Sequence, residues 1–174
     1  ASMILPELCL NPQLDVVKVV LARKNSSNQI KKLKRILLKI SRIGLLGALN
    51  GIRLRKWYSY GNLKDIYSIC KTNNVRFSET DYLNHWKTID IFKEAKADIG
   101  VSLGNGYITK SLFSVPKFGV INIHTELLPA FRGAASIIWP IYERVNETGF
   151  AIHQINSKFD KGNILYQKKY PIKF

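Results

Sequence analysis

Two polar side chains, Asn122 and His124, stand at the end of the apolar run Gly119-Val-Ile-Asn-Ile-His124. The run is short and rich in β-branched residues, which predicts a buried strand. On a strand, residues i and i+2 share a face. The amide and the imidazole therefore project together where the strand gives way to the loop Leu127-Leu-Pro-Ala-Phe-Arg-Gly133. An amide N–H stabilises a carbonyl oxygen that is becoming negative, and an imidazole handles a proton. The pair thus suits acyl transfer. A lone Asn-x-His is also a common structural pattern. What sets this one apart is a second signal downstream: the acidic turn Phe159-Asp160-Lys161-Gly162-Asn163, followed by apolar Ile164 and Leu165.

These residues need a scaffold, and the pattern along the chain supplies one. Apolar runs predict strands over Asp15–Ala22, Val75–Phe77, Asp98–Leu103 and Gly119–His124, with a last strand from Asn163 to Phe174. Helical periodicity marks Leu63–Asn73, Trp86–Lys96 and the start of a helix at Tyr107–Phe113, broken by Pro116. Alternating strands and helices predict an α/β fold, a Rossmann-like, mostly parallel sheet with helices on both faces. Ligands in such sheets bind outside the carboxyl ends of the strands. Gly104-Asn105-Gly106 and the Asn122/His124 pair both fall there, so one cleft can serve both. Taken alone, Gly104-x-Gly106 reads first as a tight turn.

The blocks from residue 98 to 170 resemble the folate-dependent formyltransferases. The resemblance lies in Asn122-x-His124, Leu127-Leu-Pro-x-x-Arg132-Gly, Glu147-Thr-Gly with His153 following, and Asp160-x-Gly before Ile164-Leu165, in order and spacing. It implies the formyltransferase type of Rossmann-like fold and transfer of a formyl group from formyltetrahydrofolate to an amine. It carries three catalytic roles onto this chain: Asn122 as oxyanion donor, His124 as a stabilising or proton-shuttling group, and Asp160 as the carboxylate that orients His124 and helps accept the amine proton. It also places Gly104, Asn105, Gly106 and Tyr107, with Gln154, Ile155 and Asn156, along the pterin pocket. No metal is implied. Several positions depart from the pattern: Glu126 replaces the usual Ser before Leu-Leu-Pro, and Lys161 and Asn163 replace Thr and Asp in the later turn.

Three acceptors compete within such a family: glycinamide ribonucleotide, methionyl-tRNA and a nucleotide-linked amino sugar. Arg132 resembles the tRNA and sugar enzymes, His153 the purine and sugar enzymes, and Trp139 the sugar group. Their intersection implies a nucleotide-linked amino sugar, with Arg132 and Trp139 binding it, and a place in cell-surface glycan synthesis such as that of lipopolysaccharide O-antigen. Methionyl-tRNA formyltransferase is the alternative. A catalytically silent binding protein of the same fold is a third reading. A homodimer is compatible with each.

Composition bounds the rest. The 174 residues, 46% hydrophobic, suffice for one domain with a sizeable core. No signal-peptide pattern opens the chain and no apolar run reaches the roughly 18 residues of a span, so a cytoplasmic location is expected. Two cysteines, Cys9 and Cys70, form no framework or metal spacing. The chain opens inside a helix and closes on a strand, so sequence is expected to be missing at both ends of a single catalytic domain spanning 1–174. The net charge of +15 is concentrated: residues 16–64 hold 13 Lys and Arg and no Asp or Glu. Residues 23–60 read as a basic insertion. Within it, Asn28–Asn50 predicts an amphipathic helix, with Ile30, Leu33, Leu37 and Ile40 on one side and Lys31, Lys34, Arg35, Lys39 and Arg42 on the other. Gly44 and Gly47 weaken its second half. Three uses fit: a solvated surface helix, an anionic membrane surface met by residues 28–56 at the inner face of the membrane, or nucleic-acid phosphates, with Trp57, Tyr58 and Tyr60 available to stack.

Overall fold

The computed structural model describes residues 1–22, 29–57, 65–133 and 138–172. Strands and helices alternate, as expected for an α/β protein. The chain opens with helix α1 (Ile4–Leu10), strand β1 (Lys18–Ala22) and helix α2 (Gln29–Trp57). Helix α3 (Ile66–Thr72) then leads into β2 (Arg76–Thr80), which pairs in parallel with β1. Asp65 starts α3, its carboxylate accepting from Ser68 N–H, which satisfies one of the free donors of the first turn. Leu5, Ile69 and Cys70 form the core of this part, with Val16, Val19 and Phe77 packed against it.

Helix α4 (Trp86–Ala95) ends at Lys96, whose left-handed φ of 48° stops the helix. Strand β3 (Gly100–Ser102), the short helix α5 (Lys110–Phe113) and strand β4 (Val120–His124) follow. After the site loop come helix α6 (Ile138–Tyr142) and strands β5 (Glu147–Gln154) and β6 (Ile164–Pro171). The second sheet runs β3-β4-β5-β6, parallel between β3 and β4 and antiparallel beyond. The parallel β3–β4 pair is joined by the segment that holds α5, whereas β4 reaches antiparallel β5 through the site loop and α6, and a short connection turns β5 back into β6. Ile108, Leu112 and Val120 form its core, flanked by Ile89, Phe92, Phe113 and Ile155.

Strand β5 and helix α6 have no counterpart among the elements read from sequence. The buried side of β5 carries Ala151 and His153, while Phe150 and Ile152 on the other side are only half-buried. A small residue and a histidine on the inner face hide the usual apolar alternation.

The amphipathic helix expected over Asn28–Asn50 appears as α2, which runs further, to Trp57. Gly44, at φ 70°, breaks its helical geometry, a conformation that Gly adopts without a Cβ penalty. Leu33 and Leu37 of the expected apolar side are exposed and Ile40 is half-buried. Asn28, Tyr58 and Tyr60, and the side chains of Ile30, Lys31, Arg35, Lys39 and Trp57, lie outside the described residues, as do Leu63, Lys64 and the final Lys173-Phe174.

Candidate active site

Sheet register assembles the site. Ser102 of β3 is paired with Asn122 of β4, and Asn122 with His153 of β5. Paired residues point to the same side of a sheet, so the three side chains form a row across three strands. His124, two positions beyond Asn122, extends the same face and stands opposite Ala151. That alanine is fully buried, and its single methyl leaves room for the imidazole.

The row is bonded. Asn122 Nδ2 lies 3.2 Å from His153 Nε2, and His153 Nδ1 lies 2.9 Å from the Gln154 carbonyl. A carbonyl only accepts, so Nδ1 carries a proton. With the proton on Nδ1, the Nδ1–H tautomer has Nε2 placed to accept from the Asn122 amide. This fixes which way the Asn122 amide points, and it leaves one of its two N–H groups for a ligand. Buried His124 donates Nε2–H to the Phe131 carbonyl at 2.6 Å, within the loop that follows β4. The two imidazoles meet edge to face, their centroids 6.2 Å apart.

Asp160 enters from the β5–β6 connection. Its φ of 45° is left-handed, a region in which Asp is enriched. Gly162, two residues on, lies so close to the Gln154 carbonyl that a Cβ would collide with it. The Asp160 carboxylate receives Gly133 N–H on Oδ2 at 2.7 Å and places Oδ1 3.5 Å from His153 Nε2. The sequence reading had Asp160 orient His124. Instead the carboxylate faces His153, and the Phe131 carbonyl orients His124, because the β5 register puts His153 between the turn and β4.

These groups border an open recess. Asn122, His153 and Asp160 line it, with Asn105, Gly106, Tyr107, Ile155 and Asn156 of the expected pterin residues. Ser102, Ile108, Lys158 and Phe159 complete the wall. Of these lining residues, Tyr107 and Phe159 stack with ring centroids 5.7 Å apart. Gly104 and Gln154 do not line it: Gln154 N–H bonds to the Asn163 carbonyl, and its side chain accepts from Asn163. His124 is not among the residues lining the recess. Arg132 and Trp139 also stand away from it, both exposed, with Trp139 edge-on to Tyr142. His153 is the residue that sequence reasoning undervalued. It served there only to sort acceptors, although its spacing after Thr148-Gly149 was the available signal.

Among the described residues no group of three or more His, Cys, Asp or Glu side chains is placed to hold a metal. Burial, with Cys9 and Asp65 nearby, pushes the Cys70 thiol above its usual range. That thiol lies in the core of the first part of the chain, and the recess lining contains no cysteine.

Residues 67–174 match the formyl transferase family model. Methionyl-tRNA formyltransferase of Ehrlichia ruminantium (strain Gardel) is 37% identical over 108 residues, covering 62% of this chain and 36% of that protein. The enzyme of the same name from Wolbachia pipientis subsp. Culex pipiens (strain wPip) is 44% identical over 82 residues, 47% of this chain and 27% of that protein. The chain thus spans about a third of the length of the curated relatives it matches. Phosphoribosylglycinamide formyltransferase from Streptococcus pneumoniae TIGR4 shares the fold, with a TM-score of 0.59 at 17% identity, covering 92% of this chain and 84% of that one. The corresponding Bacillus halodurans structure gives 0.58 at 19%, covering 90% and 80%.

These relatives overturn the nucleotide-linked amino sugar as acceptor and partner, and with it the place in O-antigen synthesis. The residues behind that reading explain the error. Arg132 and Trp139 do not line the recess, and His153 is bonded to Asn122. The match from residue 67 onward takes in every strand of the site, and the chain belongs to the formyl transferase family.

Proposed function

We propose that this chain is the catalytic domain of a folate-dependent formyltransferase, with residues 23–60 a basic insertion, and that methionyl-tRNA is its acceptor. The observation that carries the formyl-transfer reading is the row Asn122–His153–Asp160 in a recess that Gly106 and Tyr107 also line. The recess suits a flat polar ring: backbone of the Gly106 loop and Asn156 offer hydrogen bonds, and the Tyr107 and Phe159 rings offer apolar faces. Formyltetrahydrofolate would be the donor. Support for the tRNA acceptor comes from the names of the relatives and from the 13 basic residues of segment 16–64, which complement a phosphate backbone.

The chemistry follows from the placement. The acceptor amine adds to the formyl carbon, forming a C–N bond and pushing the carbonyl electrons onto oxygen. The free N–H of Asn122, aimed by His153, stabilises that oxyanion. His124 lies on the same strand face and is held by the Phe131 carbonyl. The Asp160 carboxylate is placed to take the amine proton, directly or through water. Collapse of the intermediate breaks the bond to the folate nitrogen, which leaves with a proton. The products are the formylated amine and tetrahydrofolate.

The test uses the protein that contains this chain, incubated with formyltetrahydrofolate and methionyl-tRNA, with formylated methionine read by mass spectrometry. Formylation is expected, and Asn122→Ala should lower it by about 10²–10³-fold, the usual effect of losing one oxyanion donor. If methionyl-tRNA stays unmodified while glycinamide ribonucleotide is formylated, the acceptor assignment fails and the transfer chemistry stands.

A further inference from the structure

Among the described residues, Glu126 is the acidic side chain that the fold buries completely, at 1% exposure. A carboxylate removed from water is costly unless hydrogen-bonded. This one receives Thr148 Oγ1–H on Oε1 at 2.6 Å and Leu127 N–H on Oε2 at 3.3 Å. No Lys or Arg pairs with it among the described residues. It stands where the formyltransferase pattern carries Ser, and the chemistry above leaves it unused.

Its place in the loop after β4 gives it a use. Thr148 belongs to β5, so the carboxylate ties the loop to that strand. Two residues later Leu128 N–H donates to Gln167 Oε1 of β6 at 2.9 Å, a second tie. The same loop then supplies the two backbone groups that hold the working side chains. The Phe131 carbonyl accepts from His124, and Gly133 N–H donates to Asp160. Phe131 N–H bonds to the Leu127 carbonyl at 3.0 Å, which links the tied end of the loop to the working end. At 2.6 Å the contact to Thr148 lies at the short end of the range for hydroxyl–oxygen hydrogen bonds.

We propose that Glu126 is a positioning residue: its bond to Thr148 sets the loop so that the Phe131 carbonyl and Gly133 N–H hold His124 and Asp160 in register. The inference rests on the reading of His124 and Asp160 as working residues. A bond that only stabilised the fold would leave His124 unchanged in any variant that still folds.

The experiment labels histidine with ¹⁵N in the full protein and compares Glu126→Gln, Glu126→Ala and Thr148→Val. His124 Nε2–H, held by a carbonyl, gives a slowly exchanging resonance, and formyl transfer to methionyl-tRNA is measured in parallel. Glu126→Gln keeps an acceptor for Thr148 and should retain the resonance. Glu126→Ala and Thr148→Val should lose it, and kcat should fall about 10- to 100-fold with KM little changed, as misplaced catalytic groups do. If Glu126→Ala fails to fold, Thr148→Val decides by the same two readouts. A folded Thr148→Val with the resonance and kcat intact overturns the proposal. Loss of the resonance in both variants, with no transfer even by the unsubstituted protein, supports the positioning role and overturns the transfer reading.

Discussion

His153 shows how one side chain sets the chemistry of another. Its Nδ1–H is committed to the Gln154 carbonyl, so Nε2 accepts from Asn122 and aims the amide. His153→Ala should free that amide to rotate, lowering kcat by about 10- to 100-fold while donor binding changes little. Steady-state kinetics with the formyl donor varied would check this; an unchanged kcat would mean that Asn122 is aimed by something else. Cys70 provides a contrast. Burial raises its thiol pKa, with Cys9 and Asp65 adding to the shift. The folded state therefore holds the thiol proton more tightly than the unfolded state. That contribution to stability is fully present below the ordinary thiol range and is lost as pH rises from there through the raised folded value. Alkylation of Cys70 should accordingly be slow at neutral pH, and should speed up only on unfolding. Mass spectrometry of labelled protein with and without denaturant measures this.

At the scale of elements, the site draws its working side chains from two strands and one connection. Strand β4 supplies Asn122 and His124, β5 supplies His153, and the β5–β6 connection supplies Asp160. Gly162 lets that connection pass against the Gln154 carbonyl. Gly162→Ala should push the turn outward and carry Asp160 away from His153. The expected result is a loss of turnover together with roughly 1–3 kcal/mol of stability, typical of a disrupted close approach. Thermal melting and the formyl-transfer assay together check it. A variant with unchanged turnover would show that the position of Asp160 does not depend on Gly162.

At the scale of the whole molecule, the charge is uneven. Lys34, Arg42 and Arg53 are exposed on α2, within a segment free of acidic residues. Replacing all three by Ser should raise KM for methionyl-tRNA and flatten its salt dependence, because fewer counterions are released on binding. Turnover at saturating acceptor should be preserved, since the recess residues lie in other elements. Rates measured over a range of salt test this; an unchanged salt slope would separate the basic segment from acceptor binding. Among the described residues no helix is long and apolar enough to cross a membrane.

Much of this protein was determined by the residues themselves. The strand ending in Asn122 and His124, the acidic turn at Asp160, the alternation of helices and strands, and the family all follow from local pattern and spacing. Those features are local or repeat at fixed intervals, so a linear reading captures them. Only the tertiary structure decided which groups meet. The partner of Asp160 depends on the antiparallel register that sets His153 opposite Asn122, and no local pattern encodes register between strands thirty residues apart. Strand β5 escaped notice because its buried side carries Ala151 and His153, whose burial makes sense only once the His124 ring faces that alanine. The acceptor assignment failed for a related reason. Arg132 and Trp139 match a pattern, but whether a side chain reaches a recess is settled by packing and not by its neighbours in sequence.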